Sequence, residues 1–443
     1  MKPTLDETHQ PDTQSWVLTA NAEEVDFPIQ NLPFGVFRTA QNNGPHLGVA
    51  IGDVIVDLHQ LRRQTLPEIT NAPTEARPAL DACQDATLNR LMALGTEPRR
   101  ALRHLLHKLL RRDASPEIQQ ALTTCLVPQN DAMMLLPAHV GDYTDFYASL
   151  YHATHVGRLF RPDNPLLPNY KHIPIGYHGR ASTLVVSGTP VKRPMGQTRK
   201  EEQPPTFGPT ATLDYELELG LFVGRGNAMG QTIPVDRAED HMFGVCIVND
   251  WSARDVQAWE YQPLGPFLAK NFATSLSPWV VTMEALAPYR TQAFTRDAAD
   301  PQPLPYLLSA DDQAHGGIDL RLEVQLLTPR MQADGQAAYT LSRGNFDTMY
   351  WTFAQMLAHH ASNGCSMQAG DLLASGTISG PTDTSRGCLL EITSRGKNPV
   401  HLPNGEERKF LQDGDTLVMR GLCKKDGYRT IGLGTCTGTI INA

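Results

Sequence analysis

One stretch of the chain alternates apolar and polar residues with period two: Leu213-Asp-Tyr-Glu-Leu-Glu-Leu-Gly-Leu-Phe-Val223. On an extended strand Leu213, Tyr215, Leu217, Leu219 and Leu221 share one face, and Asp214, Glu216 and Glu218 share the other. Short apolar runs between turn residues predict further strands over 182–191, 243–249, 319–327, 371–375, 389–393, 416–421 and 430–441, and strand-like text over 27–61. Helical spacing is rarer. Leu102, Leu105, Leu106, Leu109 and Leu110 predict a helix over 99–112. Ile118, Leu122 and Cys125 predict a second, starting near Pro116. A third is predicted over 346–360, with Asn345 able to cap its start and Gly364 to follow its end. The first 25 residues read as frayed or loosely docked. Two segments rich in Pro and Gly, 198–209 and 288–317, read as surface loops, the second long enough for a lid or interface loop. The pattern breaks near Pro137, which divides an N-terminal domain, 1–137, from a large β-rich domain, 138–443.

Composition narrows the class. With 443 residues, 41% hydrophobic and 19% charged, the chain is globular and long enough for two or three domains. Glycine and proline together make up about 15%, above the usual roughly 12%, which favours a mostly β body with some α. A net charge of −9 gives no general footprint for nucleic acid or an anionic membrane. No apolar run is long enough to span a bilayer. The N-terminus lacks an apolar signal core, so a cytoplasmic location is expected. Seven widely spaced cysteines without a C-x-x-C are expected to be reduced.

Three segments carry candidate chemistry. Carboxylates two apart on a strand, such as Glu216 and Glu218, stand roughly 6.6 Å apart at the backbone. They can close on one ion with ligand distances of roughly 2.0–2.6 Å. Taken alone, the same pattern is also that of a solvated sheet face. The run 243–249 reads as a buried strand ending at Asn249-Asp250, after which Ser252 suits a helix N-cap. On that helix Arg254, Gln257 and Tyr261 share a face, either as an anion site or as scattered surface polar residues. In Asp142-Tyr-Thr-Asp-Phe-Tyr, Thr144 can cap a helix, with Asp145 and His152 on one face about 10 Å apart along the axis. Lys270 follows an apolar run and Glu391 sits among Leu389, Leu390 and Ile392, so each needs a partner, and for Glu391 a histidine is a natural one. The backbone of Gly376-Thr-Ile-Ser-Gly380 can present N–H groups to an anion.

The stretches DYTDFYASLYHATHVG, GYHGRAS, LDYELELGLFVG, NDWSARD, GDLLASGTISG and DGYRTIGLGTC occur in that order. Together they resemble the fumarylacetoacetate hydrolase family, from about Asp142 to the C-terminus and more weakly before it. The resemblance implies a small SH3-like N-terminal domain with helices and a large C-terminal β-roll. It implies metal ligands at Asp145, Glu216, Glu218 and Asp250, all oxygen donors that suit Ca²⁺, Mg²⁺ or Mn²⁺ rather than zinc. It implies His152 as base, oriented by Glu391, with Arg254, Gln257 and Lys270 facing the reacting carbonyl and the leaving carbanion. Tyr147, Arg161, Tyr177, Tyr261 and Thr377 match positions that hold the substrate's carboxylates and oxygens. The implied reaction is metal-dependent hydrolysis of a carbon–carbon bond in a small diketo-dicarboxylate, 4-fumarylacetoacetate, in tyrosine and phenylalanine catabolism. The implied assembly is a homodimer. The chain departs from the animal pattern at Ala269, Asn271 and Ala273, around Lys270.

Two other readings share some of these residues. An acylpyruvate hydrolase, decarboxylase or hydratase on the same scaffold would keep the carboxylates. A binding module with a structural Ca²⁺ would keep the metal and discard the base.

Overall fold

The computed structural model describes residues 3–42, 44–200 and 202–443. The long alternating stretch lies at its centre. Leu217–Val223 pairs antiparallel with Met242–Asp250 on one side and Leu372–Ala374 on the other. Leu372–Ala374 runs parallel to Tyr143–Phe146, which pairs with Gly176–His178. Beyond Met242–Asp250 lie Thr274–Leu276 and Leu184–Val186. A second sheet runs in the order Tyr339–Asn345, Arg321–Leu327, Thr416–Cys423, Ile431–Ile441, Val191–Lys192.

The two sheets pack face to face. Leu219, Leu221, Val245 and Ile247 share a buried cluster with Leu322, Val324, Met419 and Leu433. Each such side chain removed from water is worth roughly 1.5–3 kcal/mol. The other face of the central sheet is covered by the N-terminal part. There Phe222, Phe243, Val248 and Leu372 cluster with Leu47, Val49, Leu102 and Leu106. The N-terminal part has its own antiparallel sheet, with Phe34–Thr39 between His46–Ile51 and Ala132–Leu135. Phe34 and Val280 exchange backbone hydrogen bonds of 3.0 and 2.7 Å, which tie the two parts together. With both faces covered, every residue of Leu217–Val223 and Met242–Asp250 is buried. The architecture is mostly β with some helix, an N-terminal sheet domain followed by a large β-roll.

Several sequence expectations need correction. Residues 3–25 are docked, residues 1 and 2 lying outside the described residues: Thr8, His9 and Ser15 are buried, and Arg103 donates to Thr8 and to the carbonyls of Gln30 and Asn31. Asp145 does not share a helix with His152; it lies on the strand Tyr143–Phe146, and Ser149, not Thr144, caps the helix Leu150–Phe160. Ser252 is paired with Asp214 in a short ladder, so Ala253 precedes the helix Arg254–Glu260. Residues 389–393 are not a strand. Leu389–Ile392 is one helical turn. The helix expected over 346–360 splits into a turn at Phe346–Thr348 and a helix Phe353–Ala361, because Thr352 and Gln355 form a capping box. Asn345 caps the turn instead. The expected loop 198–209 is largely a hairpin, Met195–Thr198 with Thr206–Pro209, residue 201 lying outside the described residues. The strand Tyr339–Asn345 had no clear alternation to announce it. The seven cysteines are free thiols, and among the described residues no helix is long and apolar enough to cross a membrane.

Candidate active site

Strand parity gathers the acids. Glu218, Asp250 and Asp145 project from the same faces of their strands as Phe222, Val248 and Tyr143, two or four residues along. Register then brings them level: Glu218 lies opposite Val248, and Asp145 opposite Ala374, which faces Gly220. Glu216 stands just before the strand, its carbonyl accepting from the Asp250 N–H at 3.1 Å. The result is four buried carboxylates, Asp145, Glu216, Glu218 and Asp250, with ligand oxygens all within 4.8 Å of one another.

Two cations sit against this cluster. Lys270 Nζ donates to Asp250 at 2.9 Å and to Glu216. Arg254 donates to Glu216 at 2.7 Å through one Nη and to Asp214 at 2.9 Å through Nε. Burial pushes every carboxyl up. At Glu216 the charges of Lys270 and Arg254 outweigh burial and hold it down at about 2. Burial and then mutual repulsion leave Asp145 and Glu218 well above the usual carboxylate range. Burial would lower Lys270, but Asp250 and Glu216 raise it, so it stays an ammonium. Lys270, flanked by Ala269 and Asn271, thus points its ammonium into the acid cluster.

One oxygen each of Asp145 and Glu218 is buried without a hydrogen-bond partner. Unpaired buried carboxylate oxygens are costly. Four hard oxygen donors with two orphaned atoms fit a Mg²⁺- or Ca²⁺-like ion. Gly376 supports the same cluster, donating its N–H to Glu218 at 3.2 Å. Its φ of +74° and a Cβ position 2.1 Å from the Phe146 carbonyl leave room for glycine alone.

Beside the cluster lies the pair His152 and Glu391. His152 Nδ1 is 2.7 Å from Glu391 Oε2, which also accepts from Ser379 at 2.6 Å. Burial would raise Glu391, but His152, His155 and Ser379 together hold it well below the usual carboxylate range. An ionised carboxylate only accepts, so His152 Nδ1 carries the proton and Nε2 remains as a base. Glu391 is presented by the turn Leu389–Ile392, whose first N–H groups donate to Asp214 at 2.8 and 2.9 Å.

A cavity of about 820 Å³ opens onto these groups. Asp145, His152, Glu216, Arg254, Gln257 and Lys270 line it, as do Tyr147, Arg161, Tyr177, Tyr261 and Thr377. Glu218, Asp250 and Glu391 lie beneath the lining, in contact with it: Tyr177 donates to Asp250 at 3.1 Å. The Tyr147 ring stands edge-on to His152, 5.2 Å away. One Nη of Arg254 is buried without a partner, and Gln257 Oε1 accepts from the other at 3.1 Å, which leaves its amide N–H groups free to donate. The sequence reading missed Asp214 and Ser379. Asp214 was visible as a third acid of the alternating strand, but its partners at 254, 389 and 390 were not. Ser379 lies in the LASGTISG motif, with nothing local to mark its link to Glu391.

Fold and site together define a β-roll enzyme with a buried carboxylate centre and a histidine–carboxylate pair. Residues 143–441 match the family model for the fumarylacetoacetate hydrolase C-terminal part, and residues 30–137 the model for the fumarylacetoacetase N-terminal part. The chain belongs to the fumarylacetoacetate hydrolase family. It is 49% identical to a fumarylacetoacetase of Bos taurus over 95% of this chain and 98% of that one. It is 47% identical to a fumarylacetoacetase of Homo sapiens, again over 95% of this chain and 98% of that one. A solved fumarylacetoacetate hydrolase from Exiguobacterium antarcticum covers 93% of this chain and all of its own at 16% identity and a TM-score of 0.49.

Proposed function

We propose that this chain hydrolyses 4-fumarylacetoacetate to fumarate and acetoacetate, the closing step of tyrosine and phenylalanine breakdown. The observation that carries the reading is the His152–Glu391 pair beside four buried carboxylates on one cavity, in a chain nearly half identical to fumarylacetoacetases. Cleaving a 1,3-diketone needs water at one carbonyl and a sink for electrons at the other. His152 Nε2 takes a proton from water, whose oxygen bonds to the carbonyl carbon. Glu391 holds the ring and favours the imidazolium that forms. The free Nη of Arg254, the Gln257 amide and Lys270 are placed to donate to the alkoxide. Its collapse breaks the carbon–carbon bond, and the electron pair leaves on the acetoacetate side as an enolate. The imidazolium proton then returns to that carbon. Asp145, Glu216, Glu218 and Asp250 would hold a divalent cation, Mg²⁺ or Ca²⁺ with Mn²⁺ as a third choice, which supplies Lewis-acid stabilisation of the diketone oxygens. Tyr147, Arg161, Tyr177, Tyr261 and Thr377 would hold the substrate's carboxylates and oxygens.

The protein is further proposed to be a cytoplasmic homodimer, with 1–137 as the N-terminal domain and 138–443 as the catalytic one. The matched spans 30–137 and 143–441 support that division.

The test is loss of the diketone absorbance of fumarylacetoacetate with purified protein, with chelator, and after Mg²⁺ or Ca²⁺ is restored. Metal-dependent loss with equal amounts of fumarate and acetoacetate is expected. A protein that opens acylpyruvates much faster than fumarylacetoacetate would overturn the reading.

A further inference from the structure

Six cationic side chains line the cavity: Arg161, Arg199, Lys200, Arg254, Lys270 and Arg395. Arg254 and Lys270 are paired with Asp214, Glu216 and Asp250. The other four make no ion pair among the described residues. Of the other two acids of the lining, Asp145 belongs to the carboxylate cluster, and Asp255 accepts from Thr210 and from the Ala211 N–H. The cavity therefore combines an acidic floor, which Arg254 and Lys270 partly neutralise and where a cation would sit, with a cationic wall unpaired among the described residues.

Arg395 is placed there by an unusual turn. It follows Leu389–Ile392, the turn that carries Glu391. Ser394 and Arg395 have φ of 48° and 62°, a left-handed conformation that non-glycine residues rarely adopt. Three hydrogen bonds hold it: Ser394 N–H to Glu391 at 3.2 Å, Arg395 N–H to Leu390 at 2.9 Å, and Gly396 N–H to Thr393 Oγ1 at 2.9 Å. The guanidinium lies 4.5 Å over the Phe160 ring, and the next residue in the chain is Arg161. Two arginines thus stand at the end of the helix Leu150–Phe160, neither in an ion pair among the described residues.

Arg199 comes from a different element. It directly follows the first strand of the hairpin, Met195–Thr198, and its guanidinium lies 4.8 Å over Trp259. Trp259 Nε1 in turn donates to Gln197 at 2.7 Å, which fixes the hairpin to the helix Arg254–Glu260. Stacking holds the planar face of each arginine; one Nη of Arg395 also donates to the Leu159 carbonyl at 3.4 Å, and the remaining N–H groups are left for a carboxylate.

We propose that Arg395 and Arg199 are specificity residues that take the two carboxylates of a dianionic diketone from two walls of the cavity, Arg395 acting beside Arg161. The inference rests on the reaction proposed above and deepens it: the dianion is cleaved in preference to monoanionic diketones of the same core.

Three substrates separate the outcomes: fumarylacetoacetate, 3,5-dioxohexanoate, which lacks the enoate carboxylate, and 4,6-dioxohept-2-enoate, which lacks the other. Arg395→Gln should lower kcat/KM about tenfold or more for the dianion and for one monoanion, the size of a lost charged hydrogen bond. It should leave the second monoanion within about twofold. Arg199→Gln should do the same with the monoanions exchanged. Equal losses on all three substrates, no loss on the dianion, or both variants singling out the same monoanion would overturn the proposal. Wild-type protein that cleaves none of the three would overturn the proposed reaction and this inference with it. Wild-type protein that cleaves the dianion, with variants that do not discriminate, would overturn this inference alone.

Discussion

His152 and Glu391 are separated by 239 residues and joined by a hydrogen bond of 2.7 Å. In the proposed mechanism Glu391 orients and His152 accepts the proton, so their loss should affect turnover and spare the carboxylate cluster. His152→Ala is expected to keep its bound cation and lose at least a hundredfold in kcat, at the lower end of what general-base catalysis supplies. Glu391→Gln should fall by a similar factor with KM little changed. Steady-state kinetics with metal analysis on the same samples checks both, and a His152→Ala protein with normal turnover would rule out the base. The cluster makes a separate prediction. Asp145 and Glu218 are raised, by burial first and by neighbouring charge second. A raised carboxyl keeps its proton to higher pH and must lose it to hold a cation. Cation affinity should therefore rise with pH, and binding should release protons. Calorimetric titration in two buffers of different ionisation enthalpy measures that release. Glu218→Ala should bind the cation more weakly, and an unchanged metal content in that variant would argue against the site.

At the scale of elements, Asp214 joins three pieces of chain. It accepts from the first N–H groups of the turn that presents Glu391 and from Arg254 Nε. Asp214→Asn removes a buried charge partner, which should destabilise the fold by about 3 kcal/mol. It should also cut turnover well beyond any loss of folded protein, because both Glu391 and Arg254 lose their anchor. Wild-type kcat in the folded variant would show that Asp214 does not set the geometry. The helix Thr96–Leu110 carries a pH effect of its own. Burial lowers His107 from 6.5 to about 4, and its Nε2 has no partner. As pH falls from 6.5 towards 4 the unfolded chain binds a proton that the folded chain refuses, so stability is lost through that window. The shift corresponds to about 3 kcal/mol at most. His107→Leu should flatten this part of the curve, and urea unfolding at pH 7 and pH 5 compares the two proteins. An equal loss in both would rule the effect out.

At the scale of the molecule, the central sheet has two buried faces, one against the second sheet and one against the N-terminal part. Phe222, Phe243 and Val248 belong to the same cluster as Leu47 and Leu102. An isolated 138–443 fragment would expose that face to water. The two parts should therefore unfold together. A single calorimetric transition with matching van't Hoff and calorimetric enthalpies is expected. Two separate transitions would show that the shared cluster does not couple them.

The local pattern of the chain determined a good deal. Side chains alternate along a strand, which put the acids at 216 and 218 on one expected face; the strand in fact breaks at 215–216, and Glu216 reaches the cluster through its backbone bond with Asp250. The leucine stripe at 102–110 required an amphipathic helix, and Thr96–Leu110 is one. Ordered motifs marked the residues that now surround one cavity. What local pattern could not carry was the state of short segments whose partners are remote. Tyr143–Phe146 is a strand because Leu372–Ala374 lies beside it. Leu389–Ile392 is helical because the Asp214 carboxylate receives its first N–H groups. The N-terminal residues are ordered because Arg103 and the core behind it hold them. In each case the deciding hydrogen bonds cross from about a hundred to more than two hundred residues of sequence, and only the packed chain brings their two ends together.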